Sequence, residues 1–125
     1  MSKRPLRVGR LIQQEIADIL QTEFREYFPQ LVTVTGVDMS RDLSVARVYV
    51  SIFSQRPEER RRVLQRLQEL TPQLRAALAG RIRHQLRFMP ELRFELDETL
   101  ERASRLEALF QKIHEEEKGK NDASS

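Results

Sequence analysis

Apolar residues near the start of the chain recur at intervals of three and four positions, which is the period of one helix face. The stripe runs from about Leu6 to Tyr27, and polar side chains fill the positions between its members. Its members are Val8, Leu11, Ile12, Ile16, Ile19, Leu20 and Phe24. The pattern predicts an amphipathic helix that Pro29 ends, because the proline ring removes an amide donor and fixes the backbone.

Two strands are predicted next, where β-branched residues replace the helical period. The segment from Leu31 to Met39 is rich in valine and threonine, and its alternation slips at Gly36 as at a β-bulge. The segment from Leu43 to Phe53 alternates regularly. Its residues on one face are Ala46, Val48, Val50 and Ile52. Ser40-Arg41-Asp42 supplies turn-forming residues between the segments, so we expect an antiparallel hairpin.

A pair of helices with a break between them follows the hairpin. Pro57 suits the first turn of a helix, and Glu58 and Glu59 suit its positive end. The first stripe consists of Val63, Leu64, Leu67 and Leu70. Pro72 interrupts the rhythm, which resumes at Leu74, Leu78, Ile82 and Leu86. The pattern predicts one helix to about Leu70 and a second from about Pro72 to Arg87.

A third strand and a last helix complete the predicted elements. Pro90 and Glu91 make the turn into a strand that ends at Leu96. The last helix is predicted from about Thr99 to Glu117, and the polar residues 118–125 are predicted to be a disordered tail. The order α-β-β-α-α-β-α indicates a two-layer α+β domain over residues 1–117. Its expected core is Ile12, Ile16, Ile19, Val48, Val50, Ile52, Leu74, Leu78, Ile82, Leu92 and Phe94.

Charge is distributed unevenly along the 125 residues. The net charge is only +3, but residues 56–93 carry ten basic and four acidic side chains, and residues 94–125 carry five and nine. Of the 22 basic residues 18 are arginine, which suits bidentate contact with phosphate. The basic middle therefore favours an anionic partner, although a solvated helix surface would show the same segregation.

Several classes of protein are excluded or disfavoured. The chain has no cysteine, no apolar run near the length of a membrane span and no signal-peptide core, which favours the cytoplasm. Its glycines stand at positions 9, 36, 80 and 119, so no Gly-x-x-Gly loop, dinucleotide fingerprint or P-loop can form. His84 and His114 are predicted on charged helix faces. We therefore expect that the protein is not an enzyme and that it has no catalytic residue, metal or cofactor.

Arginine is the side chain that the sequence offers for binding. Four arginines are expected along the second helix of the broken pair: Arg75, Arg81, Arg83 and Arg87. Exposed aromatic residues are scarce, with Tyr49 and Phe88 as the candidates, which favours contact with phosphates and with the shape of folded RNA over base stacking. Arg81 has a structural alternative, an ion pair with Glu69 or Glu95. A protein-interaction adaptor and a DNA-binding helix remain as other functions.

Short motifs along the chain resemble the ribosome-binding factor A family, a family of bacterial small-subunit assembly factors. The resemblance covers about residues 4–113 and rests on the combination of motifs. They are Arg4-Pro5-Leu6-Arg7-Val8, Glu15 to Leu20, Val32 to Val37, Met39 to Ser44, Ala46 to Ser51, Arg81-Ile82-Arg83, Met89 to Phe94 and Asp97-Glu98. The resemblance implies a type II KH-like fold in which a helix-kink-helix replaces the Gly-x-x-Gly loop. At the kink this chain has Leu70-Thr71-Pro72 where the family usually has Ala-x-Gly, so we expect a kink of a different angle.

The resemblance also implies a function. We expect a monomer that binds immature small subunits through rRNA near the neck, supports late rRNA maturation and cold adaptation, has no membrane partner and is released with the help of an assembly GTPase. The expected rRNA-binding residues are Arg4, Arg7, Arg10, Ser40, Arg41, Arg75, Arg81, Arg83 and Arg87.

Overall fold

The first apolar stripe forms helix α1 (Arg4–Thr22) in the computed structural model, which describes residues 3–98. The helix ends at Thr22, five residues before the predicted Tyr27. The Thr22 hydroxyl donates to the carbonyl of Asp18 at 2.8 Å, and the amides of Glu23 and Phe24 share the carbonyl of Ile19. A 3-10 turn at Arg25–Tyr27 then turns the chain so that Phe28 enters the core. The prediction that the helix continues to Tyr27 is therefore wrong.

Three strands form one sheet in the order β1 (Val32–Met39), β2 (Val45–Ile52) and β3 (Glu91–Leu96). Strands β1 and β2 are antiparallel, which confirms the hairpin, and the pairing slips between Val34 and Gly36, which confirms the bulge. Strand β3 runs parallel to β2, with Glu91 beside Val45. This register places the start of β3 next to the turn between β1 and β2.

The broken helix pair is formed by α2 (Pro57–Glu69) and α3 (Thr71–Ile82), as predicted. The residue between them is Leu70, whose φ of −88° and ψ of 2° are not helical. Helix α3 stops at Ile82, whereas the apolar rhythm predicted a helix to Arg87. A 3-10 turn at 83–85 follows, and Leu86 packs against the core from an extended backbone. Arg83 and Arg87 therefore lie beyond the helix, contrary to prediction.

The helices and the inward face of the sheet share one core. All eleven residues expected there are buried, with Ile12, Val48 and Leu74 completely inaccessible. Helix α1 packs closely on β1 because Gly9 has no side chain, and a Cβ atom at this position would lie 3.0 Å from the Val37 carbonyl oxygen. The two-layer α+β class is confirmed for residues 3–98. The predicted last helix and the polar tail lie outside the described residues.

Candidate nucleic-acid interface

Three arginines from three separate segments surround a cleft of about 470 Å³ at one end of the sheet. Arg4 comes from the start of α1, Arg41 from the turn between β1 and β2, and Arg87 from the segment that leads to β3. All three residues are exposed. Phe88 also lines this cleft, which we call the arginine cleft. Residues 83 positions apart in sequence are brought together because β3 begins beside the β1–β2 turn.

Hydrogen bonds within the β1–β2 turn hold Arg41 at the edge of the cleft. The Asp42 carboxylate accepts from the Ser40 and Ser44 hydroxyls at 2.8 and 2.7 Å and from the Ser44 amide at 3.1 Å. The hydrogen bond from the Ser44 hydroxyl, followed by those from the Ser40 hydroxyl and the Ser44 amide, lowers the pKa of Asp42. Leu43 has a φ of 61°, which is unfavourable for a leucine. The turn therefore has one defined conformation, because its hydrogen bonds hold the backbone at Leu43 in a strained state.

Arg75 holds in place the segment before β3, which forms one wall of the cleft. Its Nε donates to the Pro90 carbonyl at 3.0 Å, and its Nη2 donates to the Met89 carbonyl at 2.9 Å. The neighbouring Glu91 amide donates to the Ser44 carbonyl at 2.8 Å. These bonds connect α3, the segment before β3 and the β1–β2 turn. Arg75 therefore positions the cleft wall through donors that a phosphate would otherwise use.

Phe88 is the most unusual residue of the cleft. Its side chain is 77% exposed, and the Arg87 guanidinium lies over its ring at 5.9 Å from the centroid. Arginine stacks well on aromatic rings because its charge is attracted to the ring face. The sequence named Phe88 only as a scarce exposed aromatic residue, and no local pattern showed that it would stand among three arginines.

Arg81 lies apart from the cleft and joins two helices. Its Nη1 is 2.5 Å from an oxygen of Asp18 and 3.2 Å from one of Glu15, both on α1. These bonds, with Asp18 as the larger contributor, raise the pKa of Arg81. The expected structural role is thus present, but the suggested partners Glu69 and Glu95 are wrong.

The remaining predicted arginines extend the basic surface. Arg7 and Arg10 are exposed on α1. Arg4, Arg7 and Arg10 are three residues apart, so successive members are neighbours on the helix surface. Arg83 is exposed on the 3-10 turn, four residues before Arg87. The structure therefore brings Arg4, Arg41 and Arg87 around one cleft, but it does not bring all nine predicted residues together.

Residues 3–98 offer little chemistry beyond these cations. They contain no group of three or more histidine, cysteine or acidic side chains that could hold a metal ion. Within the same range, no helix has the length and apolar character to cross a bilayer. His84 is exposed, as predicted. The positive charge of Arg4, Arg41 and Arg87 suits the cleft to binding an anion.

Comparison with known proteins identifies the family. The sequence model described as "Ribosome-binding factor A" matches residues 4–110. The chain belongs to the ribosome-binding factor A family. Members of this family are non-enzymatic factors, which agrees with the prediction that the chain is not an enzyme.

Relatives in the ribosome-binding factor A family match nearly the whole chain. A ribosome-binding factor A from Pelodictyon phaeoclathratiforme is 44% identical over 88% of this chain and 91% of its own length. One from Chlorobium phaeovibrioides is 40% identical over 98% of this chain and 100% of its own length. The crystal structure of ribosome-binding factor A from Thermus thermophilus superposes with a TM-score of 0.59 at 30% identity, covering 74% of this chain and 94% of that one. These matches confirm both the family and the fold.

A second structural match concerns a complex. It is a homology model of Thermus thermophilus ribosome-binding factor A, fitted into the cryo-EM map of a complex of that factor with the 30S subunit. This chain matches it with a TM-score of 0.56 at 31% identity, over 70% of this chain and 89% of the other.

Proposed function

We propose that this protein is a non-enzymatic assembly factor that binds immature small ribosomal subunits through rRNA and supports late rRNA maturation. The observation that carries the proposal is the arginine cleft, in which Arg4, Arg41 and Arg87 converge from distant parts of the chain. Family membership and the 30S complex of the Thermus thermophilus factor support the choice of the small subunit. The action takes place in the cytoplasm, where the subunits are assembled.

Phosphate is the ligand that best fits the cleft. A guanidinium presents a planar fork of donors that matches phosphate oxygens in pairs. Arg41 sits on a hydrogen-bonded turn and Arg87 on a wall that Arg75 supports, so little ordering is needed when RNA arrives. We assign phosphate contact to Arg4, Arg41 and Arg87, and to Arg7, Arg10 and Arg83 on the adjoining surface. Arg75, Arg81 and Ser40 act by positioning, and Leu70-Thr71-Pro72 sets the angle of α3.

Binding alone accounts for the proposed activity. A factor that occupies unfinished rRNA can prevent premature contacts and is then removed, and an assembly GTPase would supply the energy for its release. The chain acts as a monomer and needs no membrane or cofactor. We expect the purified protein to hydrolyse neither nucleotides nor RNA.

Co-sedimentation tests the proposal. Purified protein is centrifuged with immature small subunits, mature small subunits, large subunits or duplex DNA at moderate salt. We expect preferential recovery with immature small subunits, and loss of recovery for the double variant Arg41→Ala, Arg87→Ala. Arg25→Ala is the matched control, because Arg25 is exposed and lies beyond the other end of α1. Equal recovery with all four partners, or no effect of the double variant, would contradict the proposal.

A second arm separates RNA binding from the adaptor function. Protein bound to small subunits is treated with a ribonuclease that degrades accessible rRNA. Release of the protein is expected if rRNA is the ligand. Retention on the ribosomal proteins would instead favour a protein-interaction adaptor.

A further inference from the structure

The arginine cleft has an apolar interior as well as a basic rim. Val8, Leu43, Leu86, Met89 and Pro90 also line it, and all five are buried or half-buried. Phe88 stands at the same cleft with 77% of its surface exposed, so it does not gain the stabilisation that burial of such a side chain yields. Phosphate contact alone requires neither feature, since guanidinium groups bind phosphate without an aromatic neighbour.

One chemical group needs both a cation and an apolar, planar surface, namely a nucleotide whose base is unpaired. Its phosphate is anionic, and its base stacks favourably on aromatic side chains. A cleft of about 470 Å³ lies in the size range of small-molecule sites. The juxtaposition of Phe88 with Arg4, Arg41 and Arg87 therefore has a specific use that a uniformly basic surface would not.

We propose that the arginine cleft holds one unpaired nucleotide of its RNA target, with the base stacked on Phe88 and the flanking phosphates on Arg4 and Arg41. This inference rests on the proposed function and adds the form of RNA that the site takes. Arg87 lies over one face of the Phe88 ring, so the base stacks on the other face and Phe88 lies between two planar groups. Stacking of this kind tolerates any base, because every base has a flat π-surface.

The proposal changes the expected kind of recognition. The sequence suggested that the protein reads only phosphates and the shape of folded RNA, since aromatic residues are scarce. One exposed phenylalanine in the arginine cleft, beside the guanidinium of Arg87, is enough to require that one nucleotide of the target be unstacked. A bulge, a loop or a single-stranded end is then the target within the folded RNA.

The test uses the full chain and two RNA probes. The first is a single-stranded oligonucleotide that carries the fluorescent base 2-aminopurine, and the second is a fully paired RNA duplex. Stacking on Phe88 is expected to change the fluorescence of the labelled base when the protein binds. Phe88→Leu keeps an apolar side chain but removes the ring, and it should weaken single-strand binding by about 5- to 150-fold. Phe88→Tyr keeps the ring and should bind the single strand about as tightly as the wild type.

Several outcomes separate this inference from the proposed function. If Phe88→Leu binds the single strand like the wild type while Arg41→Ala loses affinity, nucleotide stacking is refuted and phosphate binding remains. If Phe88→Leu weakens binding to small subunits but not to single-stranded RNA, the stacking inference is also refuted and Phe88 contacts a ribosomal protein. If duplex and single strand lose affinity equally in Phe88→Leu, the effect is not stacking. Loss confined to the single strand supports the inference.

Discussion

Within residues 3–98, some arginines bind polar groups of the same chain, and others are exposed around the arginine cleft. Arg75 and Arg81 use their donors on backbone carbonyls and on carboxylates of the same chain. Arg41 and Arg87 are exposed at the rim of the arginine cleft. Substitution of the first kind should affect folding, whereas substitution of the second kind should affect binding.

Arg81→Ala is expected to lower the free energy of unfolding, and the loss should be larger at low salt than at high salt. The side chain is 29% exposed and contacts two carboxylates on α1, so each pair is partly screened by water. Urea unfolding measures the change. The matched control is Arg83→Ala, which removes an exposed arginine two residues away and should change stability by less than about 0.5 kcal/mol. Equal stability of both variants would contradict the structural role of Arg81.

Asp42 predicts a dependence of stability on acid. Its pKa lies below the ordinary 3.8 in the folded protein, so the unfolded chain binds more protons at low pH. The contribution of the Asp42 turn to stability is therefore complete above that ordinary value and is lost as the pH falls through the lowered folded pKa. Urea midpoints of the wild type and Asp42→Asn, measured across this range, should differ most near neutral pH and converge in acid. A constant difference would show that the charge of Asp42 is not involved.

Elements of the fold determine where these side chains meet. Because β3 is parallel to β2, the chain must cross from the far end of the sheet through α2 and α3 before β3 begins. The crossover returns the chain to the β1–β2 turn, and Arg75 on α3 bonds to the carbonyls just before β3. The angle between α2 and α3 therefore bears on the shape of the arginine cleft.

Pro72→Ala tests the break between α2 and α3. Pro72 is exposed and lies in the first turn of α3, where a helix needs no amide donor, so unfolding should change by less than about 0.5 kcal/mol. We expect affinity for the small subunit to fall, because a relaxed break would shift Arg75. Pro57→Ala, at the first position of α2, is the matched control and should leave affinity unchanged. Unchanged affinity in Pro72→Ala would remove Leu70-Thr71-Pro72 from the binding determinants.

The apolar period predicted which residues are buried better than it predicted where helices end. Phe24 and Leu86 continue the helical stripes, yet both lie outside the α-helices, because a side chain can reach the core from another backbone conformation. The parallel pairing of β2 and β3 was not predictable, since alternation within a strand carries no information about its neighbour. The partners of Arg81 were not predictable either, because they lie 63 and 66 residues away along the chain.

Over the whole molecule, the sequence indicated that arginine would bind RNA but not how the arginines would be arranged. Seven of the nine predicted site residues are exposed, and only Ser40 and Arg81 are half-buried. The convergence of Arg4, Arg41 and Arg87 required the register that aligns Glu91 with Val45. A role for the exposed Phe88 follows only from the cleft that it lines together with three arginines.

The salt dependence of small-subunit affinity tests the central claim most directly, because each phosphate contact releases counterions. A wild-type surface that meets roughly 4–6 phosphates should lose affinity steeply as salt rises. Arg41→Ala and Arg87→Ala should each reduce the slope of log affinity against log salt by about one, whereas Arg25→Ala should not. If all three variants keep the wild-type slope, or if the wild type shows no slope, the arginine cleft does not bind rRNA phosphates.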